Sequence, residues 1–534
     1  MTGQERREYL RLALARLESG AFTQAAQAAE PVYLHAPDDL EALVLLGLAV
    51  GGCGHPDLAA DLLNDAARRS PAAAHPAADL VRLLGAAGLS RAIESYFDAA
   101  LALAPDDVRL LVAAASWQLD AGHNGRAEEL LREAARLHPA MPGVQLGLAT
   151  VEAERGSIAT AIERLRVLIA RGAGTPEALG NLATMLGVEG RFGEAWELFG
   201  RARSASPGNL QLAVNHGMAL LKAGRLREGW SAFNRRLELP GHALLPAESL
   251  LLVEDPGTRL GGATVLVTHD SGFGDTLQFA RYLPLLADRG ARVLLWVPEP
   301  LRRLMGTVPG VEAVVSDHEA WPSFDWHCPV IRLAEVFGTT LDTVPAAVPY
   351  LAADPALAAQ WAGRLPPREG GMRRVGLVWA GSARVSTPRL AAIDRRRSID
   401  PVVLLPLLEV PRIEWVSLQM NRPPPPFTVI DPMGSVSDFA DTAAIISLLD
   451  AVVSVDTSVA HLAGAMGIPV LLLDRYDNCW RWLARRADSP WYPPLRIFRQ
   501  PAWGDWGAAV RAAADALPAM LRLPAPAPAA PYCA

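Results

Sequence analysis

VVSVDTSVAHLAGAMGIPV, residues 452–470, decides how the second half of this chain folds. A β-branched apolar run is followed by Asp456-Thr457-Ser458. A small-residue amphipathic segment then ends at Gly467, and Pro469 precedes a second apolar run. This succession predicts strand, capping turn, helix, turn and strand, the unit of a parallel α/β sheet. Asp, Thr and Ser are favoured caps because their side-chain oxygens accept from the unpaired first amides of a helix. Those same amides, with the helix dipole, make the place where strand meets helix a seat for a phosphate. Two readings stand at this point. Asp456, Thr457, Ser458 and Val459 hold a nucleotide phosphate, with His461 within reach, or the polar residues only cap a helix and His461 only packs.

The pattern recurs upstream. Residues 374–380 (RVGLVWA) form a buried strand running into Gly381-Ser382 and a long basic loop that ends Asp394-Arg395-Arg396-Arg397-Ser398. Arginine suits phosphate because its planar fork donates two parallel bonds. Gly381, Ser382 and one arginine of 395–397, a choice the sequence leaves open with Arg397 the candidate carried forward, are therefore candidates to clamp a diphosphate, against a plain solvated loop in which Asp394 pairs one arginine. Earlier still, 260–268 (LGGATVLVT) is a glycine-led strand followed by HDSGFGD, 269–275, and a helical run over 276–290. Gly272 and Gly274 permit a tight turn and close approach of a ligand. Asp275 falls in the first helical turn, where it serves as a general base or as a helix-end charge worth up to about 1 kcal/mol. The spacing does not fit the dinucleotide fingerprint G-x-G-x-x-G. Further strands are expected at 293–297, 311–316, 325–329 and 413–418, and helices near 300–305, 402–408, 438–449 and 506–521. The aromatic run Trp480-Arg481-Trp482 and Trp491-Tyr492 reads as loop packing, because its surroundings are not basic.

Before residue 245 the periodicity is different. Pro37, Pro71, Pro105, Pro139, Pro176 and Pro207 are spaced 34, 34, 34, 37 and 31 residues apart. A 34-residue helix–turn–helix period is that of tetratricopeptide repeats. Small residues recur where paired helices must approach: Gly47, Ala59 and Ala66, then Ala127 and Ala134, then Ala183, Ala195 and Ala202. About six repeats are expected, the unit between Pro71 and Pro105 being the weakest, with Val81 at a small-residue position. Such arrays bind peptides or proteins, or act as spacers. Trp230 and Phe233 are expected to pack the last unit onto the α/β region C-terminal to it.

At 534 residues several cores are required. A formal charge of −7 gives no electrostatic case for nucleic acid as a partner. Cys53, Cys328, Cys479 and Cys533 have neither metal-ligand spacing nor a disulfide pattern, which fits a reducing compartment. No run is long enough for a transmembrane segment, and residues 1–20 read as charged and amphipathic rather than as a signal peptide with an apolar core, so a cytoplasmic location is expected. The expected domains are repeats over 1–240, α/β domains over 245–352 and 373–521 joined by a Pro/Ala/Gly-rich connector with a short helix near Trp361, and a disordered Ala/Pro tail, 522–534.

Taken together, GFGDTLQFARYLPLL, VGLVWAGS, DRRRSI, the segment 438–470, WRWL and DSPWYP with FRQ resemble bacterial tetratricopeptide-repeat glycosyltransferases. Their catalytic half is similar to the heptosyltransferases of glycosyltransferase family 9, and their layout resembles that of protein O-GlcNAc transferase. The resemblance implies an α solenoid followed by a GT-B fold of two Rossmann-like domains. It implies inverting transfer from a nucleotide-sugar to a protein or surface-glycan acceptor, with no metal and no cofactor, and protein partners on the repeats. The family's proposed base maps to Asp275, and its donor contacts map to Asp456, Thr457, Ser458 and His461. Ser458 stands where the family has glycine, and Asp270-Ser271 where related repeat proteins have Glu-Gln. Two other classes compete: a repeat scaffold whose nucleotide-binding half is inactive, and a GT-B-like epimerase, which would carry more carboxylates.

Overall fold

The computed structural model describes residues 1–18, 21–69, 90–239, 242–252, 260–382 and 388–523. Val81 with the first part of the weak repeat, residues 70–89, and the tail beyond residue 523 lie outside the described residues. The described chain falls into two compact units. One holds residues up to 186 together with 195–206 and 388–392, and the other holds 187–194, 207–382 and 393–523. Among the described residues no helix is long and apolar enough to cross a membrane, and Cys53, Cys328 and Cys479 are free thiols.

The described residues up to 234 are helical hairpins. Six complete pairs are present among them, from Gly3–Glu18 with Phe22–His35 to Leu210–Lys222 with Leu226–Asn234, alongside the helix Ser90–Leu103. One helical pair thus precedes the proline ladder. Pro37, Pro105, Pro139 and Pro207 each sit three residues ahead of a helix start, at Leu40, Val108, Pro142 and Leu210. Pro176 instead occupies the first position of the helix Pro176–Val188, where its missing N–H costs nothing. That three-residue offset is why the intervals read 37 and 31 while the structural period stays at 34. Asp39, Asp107 and Asn209 cap three of the first helices, each accepting backbone amides two or three residues on.

The last pair belongs to the second unit. Gly217 lets Leu210–Lys222 lie directly on the backbone of Leu226–Asn234, since a methyl group there would stand 2.7 Å from the Phe233 Cα. Backbone cannot step aside as a side chain can. Gly217→Ala should therefore lower stability by about 1–3 kcal/mol, the usual cost of overpacking. A urea midpoint unchanged by that substitution would contradict this packing.

The rest of the chain builds two all-parallel sheets. The first has strands β1 Thr264–Thr268, β2 Arg292–Val297, β3 Val311–Ser316 and β4 Trp326–Pro329, in the order β3-β2-β1-β4. The second has β5 Arg373–Val378, β6 Ile413–Ser417, β7 Ala451–Val455, β8 Val470–Asp474 and β9 Leu495–Arg499, in the order β6-β5-β7-β8-β9. β7 and β8 are buried along their whole length, which explains their continuous apolar sequence. The connector helix Pro355–Arg364 buries Trp361, whose indole N–H donates to the Asp441 carboxylate at 3.0 Å.

Three expected elements differ from the sequence reading, each for a local reason. The helical run over 276–290 is broken into Phe273–Phe279, a 3-10 turn Ala280–Tyr282 and Leu283–Asp288. Pro284 removes an amide and crowds the carbonyl one turn back. Pro406 likewise splits 402–408 into a 3-10 turn Pro401–Leu404 and a short helix Leu405–Leu408. The basic stretch before Ser398 is not a loop but the helix Pro388–Arg397, which places its three arginines on one last turn, favourable to the helix dipole.

Candidate functional site

In doubly wound sheets ligands bind outside the carboxyl ends of the strands, where the strand order reverses. The first sheet reverses between β1 and β4, and the second between β5 and β7. His269–Asp275 leaves β1, Gly381 and Ser382 follow β5, and Asp456–Val459 leaves β7. The sequence-predicted residues therefore lie at the two reversal points.

In the first sheet, Ser271 takes a left-handed backbone (φ 69°). Gly272 then caps the helix Phe273–Phe279, its N–H donating to Asp275 Oδ2 at 3.0 Å. The turn is held on its other side by Asp270, which pairs with the buried Arg236 just after the last repeat helix. Asp275 is only 8 % exposed and forms an ion pair with Arg481 of the second α/β half. Burial pushes its carboxyl above the usual value against the opposing pull of Arg481.

In the second sheet, the Asp456 carbonyl accepts from Arg397 Nη1 at 2.9 Å. Arg397 Nε also bonds Asp394 at 3.0 Å, and Arg422 reaches both Asp394 (2.8 Å) and the Gly381 carbonyl (3.2 Å). A methyl group on Gly381 would overlap the Arg397 guanidinium and the Asp394 carboxylate, so any larger residue there would displace that ion pair. Arg396 turns elsewhere, to Asp477 at 3.1 Å. Of the three arginines, Arg397 is thus the one at the β7 turn, and Asp394 pairs with it. Burial raises the Asp456 carboxyl, but Arg397 and then His461 hold it below the usual value. Thr457 and Val459 are buried, and Thr457 Oγ1 bonds Ser454 Oγ at 3.0 Å. Ser382 is exposed at the end of its described stretch.

His461 sits in the helix Ser458–Ala465. It stacks on Trp482 with ring centroids 4.9 Å apart, and its Nδ1 lies 2.9 Å from the Tyr492 hydroxyl. Burial pushes its pKa down to about 3, so the imidazole is neutral near pH 7. The two reversal-point helices meet at this residue. A methyl group on Gly274 would stand 2.7 Å from His461 Cδ2 and 3.5 Å from Ser458 Cα. Gly274→Ala should therefore cost about 1–3 kcal/mol by pressing on a histidine already fixed by Trp482 and Tyr492. Thermal unfolding checks it, and an unshifted midpoint would show that the two helices separate freely.

The sequence reading missed three residues. Arg481 was grouped with its tryptophan neighbours as packing. Asp474, at the end of β8, is fully buried against Arg499 (2.8 Å), and burial drives its carboxyl up to about 6. Arg475 beside it is buried and bonds Asp477 at 3.2 Å, while its Nε has no hydrogen-bond partner among the described residues. A polar pair closing an apolar strand was the available signal. The whole arrangement can do two things chemically: accept a proton at Asp275, and stabilise an anion through fixed guanidiniums and the first amides of Ser458–Ala465.

No protein-family model matches the chain. The chain is 28 % identical over 330 residues to Protein FlbA of Caulobacter vibrioides, covering 56 % of this chain and 53 % of that protein. It is 29 % identical over 109 residues to cellulose synthase operon protein C of Pseudomonas fluorescens, covering 20 % of this chain and 8 % of that protein. The chain thus spans about half the length of the first relative and under a tenth of the second. Among solved structures, a family 9 glycosyl transferase from Veillonella parvula is similar at 12 % identity and a TM-score of 0.37, covering 50 % of this chain and 99 % of that one. A tetratricopeptide repeat protein from Parabacteroides merdae is similar at 16 % identity and a TM-score of 0.34, covering 45 % and 95 %.

Proposed function

We propose that this chain is a GT-B glycosyltransferase that moves a sugar from a nucleotide-sugar to a protein or surface-glycan acceptor, with its helical repeats holding the acceptor or a partner. The observation that carries the reading is the junction of the two sheets. The turn of the first, bearing a buried carboxylate, lies against the turn of the second, which opens a helix and is bonded by Arg397. Each half supplies what transfer needs from it.

In the inverting, metal-independent form of this reading, Asp275 takes the proton from an acceptor hydroxyl. The hydroxyl oxygen bonds the anomeric carbon from one face as the bond to the nucleotide phosphate breaks on the other. Negative charge grows on the departing phosphate, and Arg397 with the amides of Ser458 and Val459 stabilise it. Asp456, Thr457 and the Gly381-Ser382 turn shape that cradle, and His461 supports it as a packed, neutral group.

A second reading has an observation in its favour. Asp275 is engaged at both oxygens, by Gly272 and by Arg481, as in a binding domain that performs no transfer. Presenting the purified chain with a panel of nucleotide-sugars separates the two. Nucleotide release or sugar transfer supports the enzyme, binding without turnover leaves the scaffold, and no binding across the panel defeats both.

A further inference from the structure

We propose that Arg481 is a two-position residue: it masks Asp275 in the free protein and is drawn away by the phosphate of the donor, so that the base is exposed only after the donor has bound. The proposal rests on the glycosyltransferase reading above.

Arg481 lies in the 3-10 turn Trp480–Trp482 of the second α/β half, yet its strongest partner is a carboxylate of the first. Its guanidinium is 4.2 Å from the Trp480 ring centroid, a surface along which a planar cation can turn without losing contact. Among the described residues, Nη1 hydrogen-bonds the Cys479 thiol alone, at 3.0 Å. Sulfur is a weak acceptor, and a guanidinium offers five N–H groups. Asp275 and Cys479 therefore leave most of its donor capacity to a ligand with several oxygens. The β7 turn is within its electrostatic reach, since Asp456 and His461 both feel its charge.

The exchange follows from charge. The diphosphate of a nucleotide-sugar carries two negative charges, one on each phosphate, and offers a guanidinium more acceptor oxygens than a carboxylate carrying one charge, in the same half-dry surroundings. While Arg481 stays on Oδ1 and Gly272 N–H on Oδ2, an acceptor hydroxyl has no unshared oxygen to approach at a site 8 % exposed. Donor-first binding is the consequence. Arg481 acts as a positioning residue for the base and as a contact for the leaving phosphate.

The test is nucleotide binding by calorimetry to the full chain, with UDP, GDP, CDP, ADP and CMP as probes. It compares the wild type, Asp275→Asn, Arg481→Gln and the double variant. Asp275→Asn keeps the shape and removes the competitor for Arg481, so affinity should rise about tenfold, the worth of one charged hydrogen bond. Arg481→Gln should weaken binding by a similar factor, and Asp275→Asn should add nothing in that background. A purely structural ion pair would not tighten nucleotide binding when broken. Asp275→Asn is the deciding variant, because it leaves Arg481 in place. If a probe binds the wild type and Asp275→Asn binds it no better, the exchange is refuted while the glycosyltransferase reading stands. If no probe binds any of the four proteins, that reading fails and takes the exchange with it.

Discussion

Asp275→Asn should lower sugar transfer by about 10²–10⁴-fold, the usual contribution of a positioned base, while nucleotide binding is retained. The amide keeps the shape of the turn but cannot accept the proton. Transfer left intact in a protein that still binds nucleotide would remove Asp275 from the mechanism. The pH profile gives a second check. Only the carboxylate is a base, so the rate is present above the pKa of Asp275 and lost as pH falls through it. Burial, with Asp270 close by, pushes that pKa up, whereas Arg481 and the Gly272 amide pull it down. The acid limb should therefore lie above that of an exposed aspartate. In kcat/KM, which reports the free protein, Arg481→Gln should move it higher still, because the strongest opposing influence is gone. An acid limb in the ordinary carboxylate range in both proteins would show that another group titrates.

Trp230→Ala should destabilise the second unit by about 3–5 kcal/mol, the range for emptying a large aromatic site. Trp230 is fully buried and packs edge-on against Phe279 (5.9 Å), Trp480 (5.4 Å) and Trp491 (6.3 Å). Its indole N–H donates to the Thr339 carbonyl at 3.2 Å. One side chain of the last helical pair thus supports both α/β halves. Phe279 is on the helix that carries Asp275, and Trp480 is next to Arg481, so activity should fall with stability. Trp230→Phe keeps most of the apolar contact and loses one hydrogen bond, about 1 kcal/mol. Denaturant unfolding distinguishes the two, and equal losses in both variants would mean that the cavity is not what costs.

Much of this architecture was legible because it is written in local patterns. The 34-residue period marks the hairpins, since each unit buries its apolar face only on its neighbours. Short apolar runs led or followed by Gly or Asp marked β1, β5 and β7, because a strand buried on both faces must be apolar throughout. Trp230 and Phe233 stood out as large aromatics at the point where the repeats end. The helix Pro388–Arg397 was not legible, because a run of arginines beside a Gly-Ser turn carries no apolar periodicity to betray it.

For the site the division is sharper. The sequence by itself determined that Asp275 opens a helix after a glycine turn, and that Asp456, Thr457 and Ser458 open another, because capping chemistry acts over three or four residues. Only the tertiary structure decided the strand orders that make both turns reversal points. Only it decided that Gly274 touches His461, that Arg397 rather than Arg396 reaches the Asp456 carbonyl, and that Arg481 lies on Asp275. Those contacts join residues 59 to 206 positions apart. Charge and shape complementarity over such separations depend on how whole sheets pack, and no short-range pattern encodes it.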